Sequence, residues 1–421
     1  MNKKLNSKNK NFYKKLSNFL DSRNKNINLR DPKVFKIIDD VKKNGDKALI
    51  KYEKKFSNNK KIKPTQKEIN QSIKALDPKV KKAIDFAYSR IFKFHSLQKG
   101  KNIKYIDRYK NKIEYKNVPI YKIGVYVPAN LPSTLLMNVI PAKIAGVKKI
   151  VVANPLINGK LNAAVLYAAK KCGVKEIISC GGAQAIGSLA YIQQVNKITG
   201  PGNDYVAKAK QLVFGDVGIE SMIAGPSEIC VVADNKTELN DITTSVLGQA
   251  EHGENSQSIL VTKHKDIINK VQKNLSINLK KLSRKKIISK SLKSHGLIIL
   301  CKNDNQIIEV VNEVAPEHLE LNISNYKKYI SKIYNAGSIC IGKYSPMAVT
   351  DYNVGTNHTL PTLGSAKFSS GLNLSEFYKK ISYITLSKKG VEKIGESAIH
   401  LANYESLTAH KLSIKSRMRR K

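Results

Sequence analysis

From about residue 118 onward, short apolar segments alternate with helical segments, and this alternation restricts the fold more than any other feature. The first series of predicted strands covers residues 123–127, 150–153, 177–180 and 197–199, with helices over 133–145 and 162–172 between them. A second series of predicted strands covers residues 228–232, 258–261, 297–300 and 338–341. Strands that alternate with helices build parallel sheets from βαβ units. The pattern therefore predicts an α/β fold with two doubly wound, Rossmann-like domains.

The first hundred residues have helix signals instead. Asp31-Pro32 is a suitable N-cap and first helical position, and Gly45 is a suitable stop for the helix that follows. Thr65 and Glu68 form a capping-box pattern. We expect small helical segments at both ends of the chain, the C-terminal one from about Ser375 onward.

Length and hydropathy bound the class of protein. A chain of 421 residues with 41% hydrophobic residues can bury the cores of two or more domains. It contains no apolar run long enough to span a bilayer, and its N-terminus lacks the apolar segment of a signal peptide. We therefore expect a cytoplasmic protein without a membrane partner.

The five cysteines are scattered and odd in number, and they form no C-x-x-C pair: Cys172, Cys180, Cys230, Cys301 and Cys340. Most lie inside apolar runs, which is typical of reduced core thiols. A cysteine metal site, a redox dithiol and a catalytic thiol are therefore disfavoured.

A formal net charge of +42 raises the question of nucleic-acid binding. The excess is mostly lysine, dispersed along the chain among Asn and Ile, with no Arg-rich block and no basic stripe interleaved with aromatic residues. This dispersed charge predicts weak, non-specific binding at low salt and no specific nucleic-acid partner.

Four side chains of metal-binding type stand out: Gln249, His252, Asp351 and His410. Gln249 and His252 are three residues apart and would lie on one face of a helix. Amide, imidazole and carboxylate groups without a thiolate suit a borderline divalent ion such as Zn, Mn or Co, with zinc favoured. Each residue taken alone could equally be an ordinary surface or core group.

Two glycine turns could bind phosphate groups, because each falls between a predicted strand and a predicted helix. These turns are Gly181-Gly182 and Gly200-Pro201-Gly202-Asn203. Neither is a G-x-G-x-x-G fingerprint, so a tight turn without a ligand remains the alternative. The adjacent Glu317 and His318 could be an acid–base pair or merely a solvated polar pair.

Eight segments, in one order over roughly residues 30–420, resemble the histidinol dehydrogenase family. They are GVYVPANLPSTLLMNVIPAKIAGVKKIVVANP from Gly124, GGAQAIGSLAY from Gly181, GPGNDYVAKAK from Gly200, AGPSEICVVAD from Ala224, GQAEHGENSQSILVT from Gly248, APEHLEL from Ala315, TDYNVGTNHTLPT from Thr350 and ESLTAHK from Glu405. The loop after Pro128 is shorter than is usual in the family.

The resemblance implies a reaction and a set of site residues. The reaction is oxidation of L-histidinol through the aldehyde to L-histidine with two NAD, in the last steps of histidine biosynthesis. It implies one zinc per subunit on Gln249, His252, Asp351 and His410, and catalysis by Glu317 and His318. It also implies NAD contacts from Tyr126, Gln184 and Asn203, and substrate contacts from Ser227 and Glu405 together with His318 and the four zinc ligands.

The resemblance also implies a homodimer with shared active sites, in which His410 and Glu405 come from the other subunit. With the periodicity, it gives an expected division of the chain into an N-terminal helical segment (1–25), an α/β domain with the metal and acid–base residues (26–120 plus 228–372), an NAD-binding α/β domain (121–227) and a helical dimerisation module (373–421).

Two alternatives remain at this point. The same scaffold could oxidise another polar primary alcohol, such as a sulfonated diol. The chain could also be a basic nucleic-acid-binding protein on a retired enzyme fold, although the intact metal-type and Glu-His segments argue against this.

Overall fold

The computed structural model describes residues 1, 3–24, 31–220 and 225–418. The strands are β1 (Lys3–Asn6), β2 (Ile103–Ile106), β3 (Lys112–Pro119), β4 (Lys122–Tyr126), β5 (Lys149–Ala153), β6 (Glu176–Ile178), β7 (Lys197–Thr199), β8 (Gly218–Ile219), β9 (Glu228–Ala233), β10 (Gln257–Thr262), β11 (Gly296–Leu300), β12 (His318–Asn322), β13 (Ser338–Ile341) and β14 (Tyr378–Thr385).

The helices are α1 (Phe12–Asn24), α2 (Pro32–Ser57), α3 (Gln66–Lys74), α4 (Pro78–Ser96), α5 (Pro132–Ala145), α6 (Ala163–Lys171), α7 (Gly182–Gly187), α8 (Asp204–Val213), α9 (Leu239–Ala250), α10 (Lys265–Leu279), α11 (Lys285–His295), α12 (Asp304–Val314), α13 (Lys327–Ile330), α14 (Met347–Thr350), α15 (Lys388–Tyr404) and α16 (Thr408–Met418). Within the described ranges, no helix is long and apolar enough to cross a membrane.

The chain forms two compact units. The larger unit, residues 1–98 and 121–376, contains two parallel sheets. One has five strands in the order β6-β5-β4-β7-β8, and the other has six in the order β1-β11-β10-β9-β12-β13. In both sheets the chain runs outward from a central strand and then returns to that strand's other side. This is the doubly wound topology that the alternating pattern predicts, and the mixed α/β class is confirmed.

Both faces of the six-stranded sheet are buried. Along β9, Cys230 and Val232 pack into one apolar cluster with α1 and α12, while Ile229 and Val231 pack into another with α9 and α10. Burial on both faces explains why the strands are continuous apolar runs rather than alternating ones.

The predicted caps of the N-terminal helices are confirmed. The Asp31 side chain accepts a hydrogen bond from the backbone N–H of Lys33 at the start of α2, and Thr65 and Glu68 form both bonds of a capping box. Gly45 has φ +54°, so it interrupts α2 with a kink, and the chain resumes a helical path after it.

The smaller unit consists of residues 99–120 and 377–421. It contains an antiparallel sheet in the order β14-β3-β2, together with α15 and α16. β14 occupies the start of the C-terminal stretch for which the sequence pattern indicates only helix. Its residues are mostly exposed, so they lack the apolar alternation that would mark a strand.

Candidate active site

One cavity of about 640 Å³ in the larger unit collects most of the predicted site residues. It lies at the carboxyl ends of the strands of the five-stranded sheet and the amino ends of those of the six-stranded sheet. Its lining includes Tyr126, Asn203, Ser227, Gln249, His252, Glu317, His318 and Asp351. The carboxyl edge of a doubly wound sheet, at the point where strand order reverses, is the usual ligand site of such folds.

Sheet register brings together residues that are far apart in sequence. Ser227 immediately precedes β9, and His318 is the first residue of β12, which pairs with β9 so that His318 is level with Ile229. Gln249 and His252 lie at the end of α9, and Asp351 directly follows α14. The parallel pairing of β9 and β12 therefore places Ser227 beside the Glu317-His318 pair.

Asp351 lies between two imidazoles. Its Oδ2 is 3.9 Å from His252 Nε2, and its Oδ1 is 3.8 Å from His318 Nε2. On the other side of His252, Nδ1 is 3.4 Å from the Oγ of Ser227. One carboxylate, two imidazoles and a hydroxyl thus face the same small volume.

Gln249 is fully buried, and within the described residues neither its Oε1 nor its Nε2 has a hydrogen-bond partner. An unsatisfied buried amide costs free energy, so its presence beside a cavity indicates a polar ligand for that group. Across the described ranges, no three His, Cys, Asp or Glu side chains are grouped to hold a metal ion. Of the four predicted metal ligands, three lie in the larger unit: the His252 imidazole, the Asp351 carboxylate and the Gln249 amide.

Burial sets the protonation of the acid–base pair. It lowers the pKa of His318 to about 3, with a smaller contribution from the neighbouring imidazoles of His358 and His252, so His318 is neutral and able to accept a proton. Burial also raises the pKa of Glu317 well above its ordinary value and that of Asp351 to about 7. His318 Nε2 lies 4.0 Å from Glu317 Oε1.

His358 also lines the cavity. Its Nδ1 is 2.8 Å from the backbone oxygen of Asp351 and its Nε2 is 3.3 Å from the Oγ1 of Thr134. His358 therefore fixes the turn that carries Asp351. The residue is half-buried, and desolvation lowers the pKa of its ring to about 4.

The cavity wall formed by the five-stranded sheet is built from backbone turns. Gly200 has φ +110°, and a Cβ there would lie 2.0 Å from the backbone oxygen of Tyr126, so only glycine fits this turn. Asn203 caps α8 by accepting from the N–H of Val206 at 3.2 Å. Asn203 and the first residues of α8, Asp204 and Tyr205, line the cavity.

Gln184, the third predicted NAD contact, is not among the lining residues. It is buried in α7, where its Nε2 donates to Glu53 Oε1 at 2.8 Å, and the same oxygen accepts from the Gly181 N–H at 2.9 Å. Glu53 on α2 thus organises the Gly181-Gly182 turn. Sequence reasoning missed this residue because nothing local separates a buried glutamate from the exposed ones around it.

Glu405 and His410 belong to the smaller unit. Glu405 follows α15, and His410 lies in the first turn of α16; both side chains are exposed.

The chain matches the family model described as histidinol dehydrogenase over residues 20–418. It is 57% identical to the histidinol dehydrogenase of Pelagibacter ubique, with both chains covered in full, and 39% identical to that of Acinetobacter baylyi over 92% of this chain and 94% of the relative. The crystal structure of histidinol dehydrogenase from Elizabethkingia anophelis superposes with a TM-score of 0.90 at 36% identity, covering 99% of this chain and 98% of the other.

The match accordingly defines an oxidoreductase that acts on an alcohol and an aldehyde in sequence. The chain belongs to the histidinol dehydrogenase family, whose members catalyse the NAD-linked oxidation of histidinol to histidine in histidine biosynthesis.

Proposed function

We propose that this protein is a zinc-dependent enzyme that oxidises L-histidinol through L-histidinal to L-histidine with two NAD. The observation that carries the proposal is the convergence of neutral His318 and buried Glu317 with Asp351 and His252 in one cavity, next to the Gly200 turn. We place the enzyme in the cytoplasm, which fits its five free, buried cysteines.

The donor set fits zinc. Gln249, His252 and Asp351 would hold the ion in the larger unit, and the unpartnered Gln249 amide supplies a ligand oxygen. When bound, zinc would orient the imidazole and amino groups of the substrate without itself changing oxidation state. Burial raises the pKa of Asp351, and a bound cation would favour the charged form of this carboxylate.

His318 and Glu317 divide the proton chemistry. His318, neutral because of burial, would accept the proton of the alcohol during the first oxidation and of the hydrate during the second. Glu317, whose Oε1 lies on the His318 side, would in its ionised form take a proton from the water that adds to the aldehyde, and its raised pKa makes that carboxylate a stronger base. Ser227, beside His252, would contact the substrate near the metal.

NAD would bind along the wall formed by the five-stranded sheet, at Tyr126 and Asn203 and near the Gly181-Gly182 turn. The Gly200 turn packs against the backbone of Tyr126 and so brings Pro201, Gly202 and Asn203 to the same wall of the cavity as Tyr126. In this arrangement Gln184 would contact NAD, and its hydrogen bond to Glu53 would hold its side chain in place.

We further propose a homodimer in which His410 is the fourth zinc ligand and Glu405 contacts the substrate amino group, both donated by the second subunit. Within the smaller unit, α15, α16 and the turn between them expose large apolar side chains, namely Leu401, Tyr404, Leu407 and Leu412, and such a surface is typical of a subunit contact.

Shared sites predict complementation between inactive variants. His410→Ala and His318→Asn are each expected to be inactive as homodimers. Unfolded together and refolded, they should recover about one quarter of wild-type activity, because half of the dimers are mixed and each mixed dimer has one intact site. Histidinol oxidation measured against the mixing ratio checks this. No recovery, with mixed dimers shown by mass spectrometry, would mean that both residues act within one chain.

The activity itself is tested by counting NADH. We expect about two NADH per L-histidinol, in agreement with two hydride transfers, and we expect turnover to persist at salt concentrations that abolish binding to DNA. If the protein forms NADH from a sulfonated diol but none from L-histidinol, the proposed substrate is wrong and the protein oxidises another polar primary alcohol. Tight, sequence-specific DNA binding at physiological salt without any dehydrogenase activity would support the nucleic-acid alternative instead.

A further inference from the structure

A buried ion pair lies directly behind Glu317. Arg23, near the end of α1, donates from Nη1 to Glu228 Oε1 at 2.6 Å, and both side chains are only 4% exposed. Its Nη2 donates to the backbone oxygen of Pro226 at 2.8 Å. Arg23 therefore holds both the first residue of β9 and the turn that carries Ser227.

The backbone N–H of each of Glu228 and Glu317 donates to the side-chain carboxylate of the other. The N–H of Glu228 donates to Glu317 Oε2 at 2.7 Å, and the N–H of Glu317 donates to Glu228 Oε2 at 3.4 Å. These bonds tie Oε2 of Glu317 to the protein and leave Oε1 on the side of His318. The orientation of the Glu317 carboxylate thus depends on where Glu228 lies.

Two carboxylates this close in a buried place repel each other unless a cation compensates them. Arg23 supplies that charge, and the backbone N–H of Leu363 donates a further bond to Glu228 Oε1 at 2.8 Å. Loss of Arg23 would leave Glu228 as an unpaired buried charge beside Glu317. Any displacement of Glu228 that relieves this unpaired charge also moves the N–H that binds Glu317 Oε2, and so disturbs Glu317.

We propose that Arg23 and Glu228 are positioning residues for Glu317, which hold its carboxylate in the orientation needed to activate water in the aldehyde oxidation. The inference rests on the role of Glu317 in the proposed function. The N-terminal helix α1 is thereby part of the active-site support, although residue 23 is 205 positions from Glu228 and outside every segment of the family resemblance.

The test separates the two oxidations. The first is followed as single-turnover NADH formation from L-histidinol, and the second as steady-state NADH formation from supplied L-histidinal. For Arg23→Met we expect the second rate to fall about ten- to a hundredfold, as is usual when the support of a reacting group is lost, and the first to change less than about threefold. Arg23→Lys should recover part of the loss, because it keeps the charge without the two-pronged contact.

A double variant adds a second measurement, the aldehyde rate, which would not recover if the ion pair only stabilised the fold. Glu228→Gln in the Arg23→Met background removes the unpaired carboxylate, so the aldehyde rate should rise above that of Arg23→Met alone. The matched control is Lys263→Met, which breaks an ion pair with Asp304 in the same unit and should leave both rates within about twofold. If Arg23→Met does not fold, Arg23→Lys and Glu228→Gln carry the comparison.

Equal losses in both oxidations, or a lower melting temperature with both rates unchanged, would overturn the inference. Glu317→Gln distinguishes this from a failure of the proposed function. If Glu317→Gln does not selectively slow the aldehyde step, the role proposed for Glu317 is wrong and the inference fails with it. If Glu317→Gln does so and Arg23→Met does not, the inference alone is wrong.

Discussion

Replacing His252 with alanine is expected to remove most of the bound zinc and to abolish oxidation of L-histidinol, while the fold remains intact. His252 is one of only four proposed ligands, and its neighbours Gln249 and Asp351 would hold an ion through an amide and a single carboxylate. Loss of an imidazole from such a set leaves too few strong donors for a tight site. The zinc content of the purified variant, measured by elemental analysis beside its activity, decides the outcome.

His264→Ala is the matched control for His252, since it removes an imidazole that lies outside the candidate site, at the start of α10. It should retain a full equivalent of zinc and normal turnover. A His252→Ala protein that keeps both would show that the metal assignment is wrong. Unchanged circular dichroism in both variants excludes unfolding as the cause of a loss.

His318→Asn is expected to lower the rate of L-histidinol oxidation by about 10² to 10⁴ with little loss of zinc. Asparagine is polar and of similar size, but it cannot accept the alcohol proton as a neutral imidazole can. His318 is 3% exposed at the start of a central strand, so water cannot readily take its place. Rates of first NADH formation, compared at equal zinc occupancy, check this.

His264→Asn serves as the comparison, because that residue lies at the start of α10, outside every predicted motif and outside the proposed subunit contact. It should behave as wild type. A rate for His318→Asn within about threefold of wild type would exclude a role as the base. A large loss of zinc would instead show that His318 supports the metal site. It could do so through Asp351, since His318 Nε2 lies 3.8 Å from Asp351 Oδ1.

Periodicity predicts the two doubly wound sheets well, because their central strands are short apolar runs between helices. It fails where strands carry polar residues. β12 begins with His318 and contains Glu320, so its sequence lacks an apolar run although the strand is buried. β1 (KKLN) is a short polar edge strand, and β14 (YKKISYIT) is an exposed edge strand whose apolar residues are interrupted by two lysines, so neither sequence has the pattern of a buried strand.

The candidate site likewise contains residues that the sequence predicts and residues that it does not. Its residue types could be proposed from motifs, and the cavity does bring Ser227, Gln249, His252 and the Glu317-His318 pair together. The residues behind them could not be proposed, since Arg23 and Glu53 are distinguished only by burial and by partners distant in sequence. Sequence motifs therefore predict the reacting groups, whereas the residues that hold these groups in place are identified only from tertiary contacts.

The edge strand β1 has a consequence for how the protein is made. Lys3 pairs with Leu297 and Asn6 with Leu300, so β1 can pair only after β11, far along the chain, has been synthesised. The helix α1, which follows it, carries Arg23 to a partner that is likewise synthesised much later. Contacts of such long sequence separation form slowly, because the intervening chain must first be ordered. During translation the five-stranded sheet can therefore form before β9 and β12, which carry the acid–base pair and its support, have been synthesised.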